Sequence, residues 1–411
     1  MSQDKTAVAE GTGETSALIG IAALLRQSFE GVDLGPLGQT LLARAESNPD
    51  DANALLDLST VLELNGNAEV AQAIQMQALQ SQQFYHLPAG SGEPGLRLMA
   101  IKGPGELMAN TPLEFLIEDS DVALDILYLA PGLPIPDEVP EHDVLFVAVG
   151  ESDRNQSLLA QLEPLLESWP RPVINRPQRI AQLSRDGACA LLDGAQGIVM
   201  PGAVRIERET LERIGRQEQA LATVADGVDF PCILRPVGSH AGRGLRRIES
   251  VAALAGYLDD IPDPLFYLSP FIDYSGEDGL FRKYRVVLVQ GRPFAIHMAV
   301  SEHWMVHYLN AGMTESEAKR IEEARFMEQF EEGFARRHAE ALRELHTRVG
   351  LEYFGIDCAE TRDGRLLIFE IDSALVVHDM DPVDMFPYKR PAMEKVFTAF
   401  RELLEQTRNR N

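Results

Sequence analysis

Apolar positions Leu18, Ile21, Leu25 and Phe29 recur at a helical interval. Asn48-Pro49-Asp50-Asp51 breaks that stretch, and a new helix carries Leu55, Leu58 and Leu62. Gly66, between Asn65 and Asn67, ends it, and a further helix carries Ala71, Ile74 and Ala78. Residues 17–86 therefore read as wholly helical, behind a polar tail at 1–16 that is expected to be disordered. Residues 87–95 (Leu-Pro-Ala-Gly-Ser-Gly-Glu-Pro-Gly) read as a linker. Short apolar runs follow at 96–101, 113–117, 125–129, 143–149 and 172–175, with helices at 105–109, 153–168 and 176–185. That alternation predicts an α/β layer with a mostly parallel sheet over 96–185. Residues 186–411 read as a larger α+β unit. Two helices flank Gly197–Pro201, and strands fall at 231–235, 244–248, 265–272, 281–289 and 292–300. A long charged helix over 314–349, a hairpin over 353–372 and a last amphipathic helix over 390–406 complete it.

Composition leaves this picture standing. The 411 residues are 45% hydrophobic and 24% charged, the balance of an ordinary globular chain of roughly two to three domains. A net charge of −26 argues against general nucleic-acid or anionic-membrane binding. The three cysteines, Cys189, Cys232 and Cys358, lie far apart with no metal-type spacing, so a reducing cytoplasm is expected. The apolar run 17–25 is too short to span a bilayer and has no basic flank.

Two segments carry candidate chemistry. The first is Pro231-Cys-Ile-Leu-Arg235-Pro-Val-Gly238-Ser239-His240-Ala-Gly242-Arg243-Gly244. A buried strand ends in a basic residue and runs into a glycine loop, whose backbone N–H groups can face an anion. Arg235, Arg243 and His240 add donors. Read plainly, the same segment is a glycine-rich hairpin. The second is 353–372, with Asp363-Gly364 as a hairpin turn. With that turn at the centre, Asp357 falls opposite Glu370, and Glu370 and Asp372 share a face. Three like charges on one face destabilise a sheet unless a hard cation such as Mg²⁺ joins them. A solvent-facing acidic strand pair is the alternative.

A basic glycine flap about 120 residues before a carboxylate hairpin resembles the ATP-grasp superfamily over residues 96–411. Within it, the chain is most similar to the branch of ribosomal-protein glutamate ligases and related carboxylate–amine ligases. The resemblance implies a pre-ATP-grasp α/β domain at 96–185 and an ATP-grasp domain at 186–411, in which two α+β subdomains sandwich ATP. It implies that Arg185, Arg235, Gly238, Ser239, Gly242, Gly244, Phe271, Ile272, Asp273 and Lys283 bind ATP. Asp357, Glu370 and Asp372 would hold Mg²⁺, or Mn²⁺ in its place, and Arg285 and Arg235 would act on the transferred phosphate. His303, His307, Tyr308 and Asn310 in the segment 301–312, and His378 beyond the metal strand, would line the acceptor site. The chain departs from the pattern with Arg235 in place of a lysine, Gly187 where the first helix usually has lysine, Ser269 or Pro270 at an acidic hinge position, and Asp372 in place of asparagine. The helix pair ending near Ala78 resembles one tetratricopeptide repeat. One repeat cannot build a solenoid, so a cap or docking module, or a plain helical hairpin, is expected.

The resemblance implies an ATP- and Mg²⁺-dependent ligase. It would turn the carboxylate of a small molecule or peptide into an acyl phosphate for attack by an amine or other nucleophile. A phosphotransferase, or a nucleotide-binding scaffold that has lost catalysis and acts through its helical unit, are the competing readings. The helical unit is expected to bind a protein partner or a second copy of the chain, and a fragment beginning near Gly95 is expected to fold alone.

Overall fold

The structure is a computed structural model, and it describes residues 17–136, 138–239 and 242–410. The tail at 1–16 and His240 lie outside the described residues. Four helices come first, at Ile21–Phe29, Gly35–Ser47, Ala52–Leu64 and Ala68–Ser81. Asp51 starts the third: its carboxylate accepts from the Ala54 N–H at 2.9 Å and holds Arg44 at 2.9 Å, satisfying an open helix donor.

The chain then enters a strand, Phe84–Leu87, that pairs antiparallel with Val122–Tyr128. Residues 17–86 are thus not wholly helical, and the helical segment does not end at a free linker. Leu18, Leu55, Leu56, Ala78, Leu79 and Tyr85 belong to the same apolar core as Leu98, Ile101 and Phe146. Polar ties reinforce the contact. Gln75 accepts from the Gly105 N–H at 2.8 Å and donates to its carbonyl at 3.2 Å. Arg26 holds Glu118 at 2.6 Å and Asp379 at 2.9 Å. A four-residue edge strand is too short for periodicity to reveal, because its pairing is set by a partner 40 residues on.

The first sheet runs in the order Phe84–Leu87, Val122–Tyr128, Leu96–Lys102, Val144–Val147, Val173–Ile174. All its pairs but the first are parallel. Leu98 to Ile101 and Val144 to Val147 are buried on both faces, as a covered parallel sheet requires. The expected strand at 113–117 is instead the helix Leu113–Ile117. A five-residue apolar run reads alike for a buried strand and a buried helix. Here Glu114 is anchored to Lys102 at 2.5 Å inside the core.

The middle sheet is antiparallel, in the order Val204–Glu207, Leu265–Pro270, Cys232–Pro236, Arg246–Ile248, and has its own core around Leu211, Leu234, Tyr257 and Phe266. The third runs Arg292–Ser301, Phe281–Val289, Tyr353–Glu360, Leu366–Asp372, Ile198–Val199, with only the last pair parallel. It shares the first sheet's core. Asn175, left-handed at φ 57°, fastens the two: its side chain donates to the Tyr353 carbonyl at 2.7 Å and accepts from the Tyr353 N–H at 3.0 Å. The helix expected over 314–349 is broken into Glu317–Glu328, a π-helical turn Glu331–Ala335 and Ala339–Val349. Gly333 lies in that turn, and the rings of Phe330 and Phe334 on either side of it in sequence stack on each other at 5.7 Å.

Candidate active site

Arg235 stands near the end of its strand, where the glycine loop begins. Gly238, Gly242 and Gly244 adopt φ of 72°, 75° and 67°, the left-handed region where glycine pays least, so this turn chemistry needs them. Arg235 donates to Ser239 Oγ at 3.3 Å and to the Ser239 carbonyl. Ser239 is buried and donates to the Pro236 carbonyl at 2.8 Å. Burial, with the neighbouring Arg185 guanidinium, brings the Arg235 pKa down to about 10. An anion in the site would relieve both penalties.

Arg185 opens the helix Arg185–Leu191, which Ser184 caps through the Gly187 N–H at 3.2 Å. Its guanidinium reaches the third sheet, donating to the Phe369 carbonyl at 3.0 Å and to Glu370 Oε1 at 2.7 Å. The hairpin explains that reach. Asp357 pairs with Glu370 and Gly355 with Asp372, but beyond Asp357 the register shifts so that Cys358 pairs with Ile368. The bulge leaves Phe369 out of the ladder, with its carbonyl open to Arg185.

The three carboxylates do not meet one another unrelieved. Asp357 is buried and clamped by Arg285 at 2.7 and 3.0 Å and by Lys283 at 2.7 Å. Burial alone would raise its pKa, but these two cations hold it far below the usual carboxylate range. Glu370 is pulled down despite burial, chiefly by Arg185. Asp372 is the exception: burial, then the Glu370 charge, push it up to about 6, and its Oδ1 accepts from the Ala374 N–H at 2.7 Å. Four cations from three segments (Arg185; Arg235; Lys283 and Arg285 on one strand) thus stand around three carboxylates.

Among the described residues no group of three or more His, Cys, Asp or Glu is placed to hold a metal ion. Repulsion across the hairpin, the expected reason for a cation, is met at Asp357 by the chain's own bases, and Asp357 does not fit the ligand role given to it. Asp372, for which no salt bridge is present among the described residues, and Glu370, half-exposed beside Arg185, remain for Mg²⁺, which is commonly held by one or two carboxylates together with phosphate oxygens.

The other sequence candidates divide. Phe271 lies under the Arg247 guanidinium at 4.1 Å and edge-on to Trp304 at 5.8 Å. Ile272 packs beside Tyr274 and Val306. Asp273 turns away, bound to the Ser275 N–H at 3.0 Å and to Arg362 at 3.0 Å. His307 is half-buried, and burial with the Lys283 and Arg285 charges keeps it neutral. Asn310 closes the turn by accepting from the His307 N–H at 3.1 Å, and His303 is exposed. Tyr308 points into a buried polar cluster: it donates to Glu323 at 3.0 Å, accepts from Lys389 and lies 4.6 Å from the His297 ring. His378 lies beside the rings of Phe29, in the first helix, and Phe115, in the helix Leu113–Ile117. Glu323 and Lys389 gave no sequence signal. Asp186, beside Arg185, and Tyr267, in the strand Leu265–Pro270, carried no role in the sequence reading.

No protein-family model matches the chain, and no curated protein matches it. Solved structures are similar to it. The D-alanine–D-alanine ligase of Bacillus anthracis, complexed with ATP, is 12% identical over 77% of this chain and 99% of its own, with a TM-score of 0.47. An ATP-grasp RimK domain protein of Sphaerobacter thermophilus is 14% identical over 75% and 99%, with a TM-score of 0.41. The ATP-grasp ligase PsnB, complexed with the precursor peptide PsnA2 and AMPPNP, is 13% identical over 75% and 98%, with a TM-score of 0.38. Overlaps this loose decide nothing about chemistry, which the chain's own residues must carry. Among the described residues no helix is long and apolar enough to cross a membrane.

Proposed function

We propose that the chain is an ATP-grasp enzyme, an ATP-dependent ligase that activates a carboxylate. The observation that carries this is the meeting of Arg185, Arg235, Lys283 and Arg285 beside Glu370 and Asp372, under a glycine loop. Such a concentration of positive charge in an acidic chain suits a polyphosphate. Arg235 and the loop N–H groups bind phosphate oxygens, and Phe271 and Ile272 bound the base. Glu370 and Asp372 would hold Mg²⁺, which would supply charge neutralisation for phosphoryl transfer. Arg285 sits across the strand from that pair and orients the acceptor carboxylate. A carboxylate oxygen attacks the γ-phosphorus and ADP leaves. An amine or other nucleophile then attacks the acyl carbon and phosphate leaves. His307, held neutral, is available to take the proton of that nucleophile.

The test is turnover. The protein is incubated with Mg-ATP and pools of carboxylic acids and amines, and ADP and AMP are followed. ADP release that requires both an acid and a nucleophile supports the ligase. A stable phosphorylated product supports a phosphotransferase, and AMP release rejects both.

A further inference from the structure

Two of the four site cations belong to units with separate cores. Arg235 is carried by the middle sheet, whose apolar residues pack among themselves. Arg185 is tied to the third sheet through Glu370 and the Phe369 carbonyl. The two guanidiniums repel, so something must set their spacing before an anion arrives. The middle sheet shows what does. Arg205, Tyr267 and Arg235 stand directly opposite one another on three neighbouring strands, one row across one face. The Arg205 guanidinium lies 5.2 Å from the centre of the Tyr267 ring. Asp186, the residue after Arg185, accepts on one oxygen from Tyr267 Oη at 3.1 Å and from Arg205 Nε at 3.3 Å. Arg205 is itself held by both oxygens of Asp153, at 2.8 Å each, in the loop that leaves the first sheet. Asp186 therefore grips two members of the row whose third member is Arg235, while its neighbour in sequence grips the third sheet.

We infer that Asp186 is a positioning residue: with Tyr267, Arg205 and Asp153 it fixes the distance between Arg185 and Arg235 and so sets the affinity for polyphosphate, without touching it. This rests on the nucleotide reading above and deepens it. The sign of the effect separates the role from simple electrostatics. Removing a carboxylate near an anion site should tighten anion binding by charge alone. Removing a clamp on the two arginines should weaken it.

The experiment is calorimetric titration of Mg-ATP, and of inorganic triphosphate, into the full-length wild type, Asp186→Asn and Tyr267→Phe. Asp186→Asn is expected to weaken both ligands about tenfold, the scale of one lost charge-assisted hydrogen bond. Tyr267→Phe keeps the ring and every charge and should weaken them severalfold in the same direction. The double variant should be no weaker than Asp186→Asn, since both substitutions open one clamp. Binding by Asp186→Asn as tight as wild type, or tighter, overturns the positioning role. If that variant does not fold, unchanged affinity in Tyr267→Phe overturns it equally. A wild type that binds neither ligand removes the nucleotide reading itself, and the positioning role with it.

Discussion

Deleting residues 1–94 should cost the remaining chain its stable fold, against the sequence expectation that a fragment from Gly95 folds alone. Leu55, Leu56, Leu79 and Tyr85 are 3%, 7%, 1% and 1% exposed, and all four lie in the core shared with the first sheet. Burying each contributes roughly 1.5–3 kcal/mol, about 6–12 kcal/mol together. A contact covers both partners, so the sheet's share, about half, leaves the fragment short by about 3–6 kcal/mol. Typical domains have only about 5–15 kcal/mol in total. The deletion also strips Phe84–Leu87 from Val122–Tyr128, exposing an apolar sheet edge that invites aggregation. The assay compares residues 95–411 with the full chain by size-exclusion chromatography and thermal melting followed by circular dichroism. The fragment should aggregate, or melt at least about 6 °C lower. A monomeric fragment melting within about 3 °C of the full chain would refute the shared-core argument.

Arg235→Ala should weaken Mg-ATP binding by about 1.5–3 kcal/mol, while Arg235→Lys keeps most of it; calorimetry decides, and equal affinity in the alanine variant rejects the phosphate role. Glu370→Gln should remove the Mg²⁺ dependence of nucleotide binding, read by titrating ATP with and without the cation. Asp357→Asn leaves Arg285 and Lys283 facing each other around a neutral amide and should cost about 3–5 kcal/mol in urea unfolding. Asp57 is buried where the helices meet the first sheet. It accepts from the Ile19 and Gly20 N–H groups at 2.8 and 3.0 Å, and burial pushes its pKa up to about 6 from 3.8. A raised carboxylate pKa means that ionisation costs stability, and the cost is absent below the unfolded value and complete above the folded one. The wild type should therefore lose up to about 3 kcal/mol relative to Asp57→Asn as pH rises from 4 to 6. A difference between the two that stays constant over that range would rule it out.

The elements legible in the sequence were those with a long period or a strong turn. The strands Phe281–Val289 and Tyr353–Glu360 stand where alternation and Asp363-Gly364 put them. Gly364 at φ 81° supplies the turn. What failed were short apolar runs and contacts set from far away. Leu113–Ile117 satisfies either period, and its helix is chosen by packing and the Lys102–Glu114 pair. Phe84–Leu87 becomes a strand only because Val122–Tyr128 waits for it. The charged stretch 314–349 keeps helical composition through its break, and the π-turn answers to the stacked Phe330 and Phe334 rings.

The site divides along the same line. Strand alternation and the glycine loop are local, so Glu370 and Asp372 could be set on one face and Arg235 at the loop from the residues themselves, while Arg185 and Lys283 were reached only through the family resemblance. Which charges meet is not local. Opposed carboxylates at Asp357 and Glu370 read as a demand for a cation. In the folded chain Arg285 and Lys283, from the neighbouring strand, answer that demand at Asp357, and Arg185, from a helix 185 residues earlier, answers it at Glu370. Asp372 has no salt bridge among the described residues, and burial, then the Glu370 charge, push its pKa up to about 6. A hairpin's register thus says where carboxylates stand, while the third dimension says which of them is left with charge to share with a metal ion and a phosphate. On the proposed reading the cation site would be Asp372 together with Glu370, which it would share with Arg185, while Asp357 stays paired with Arg285 and Lys283.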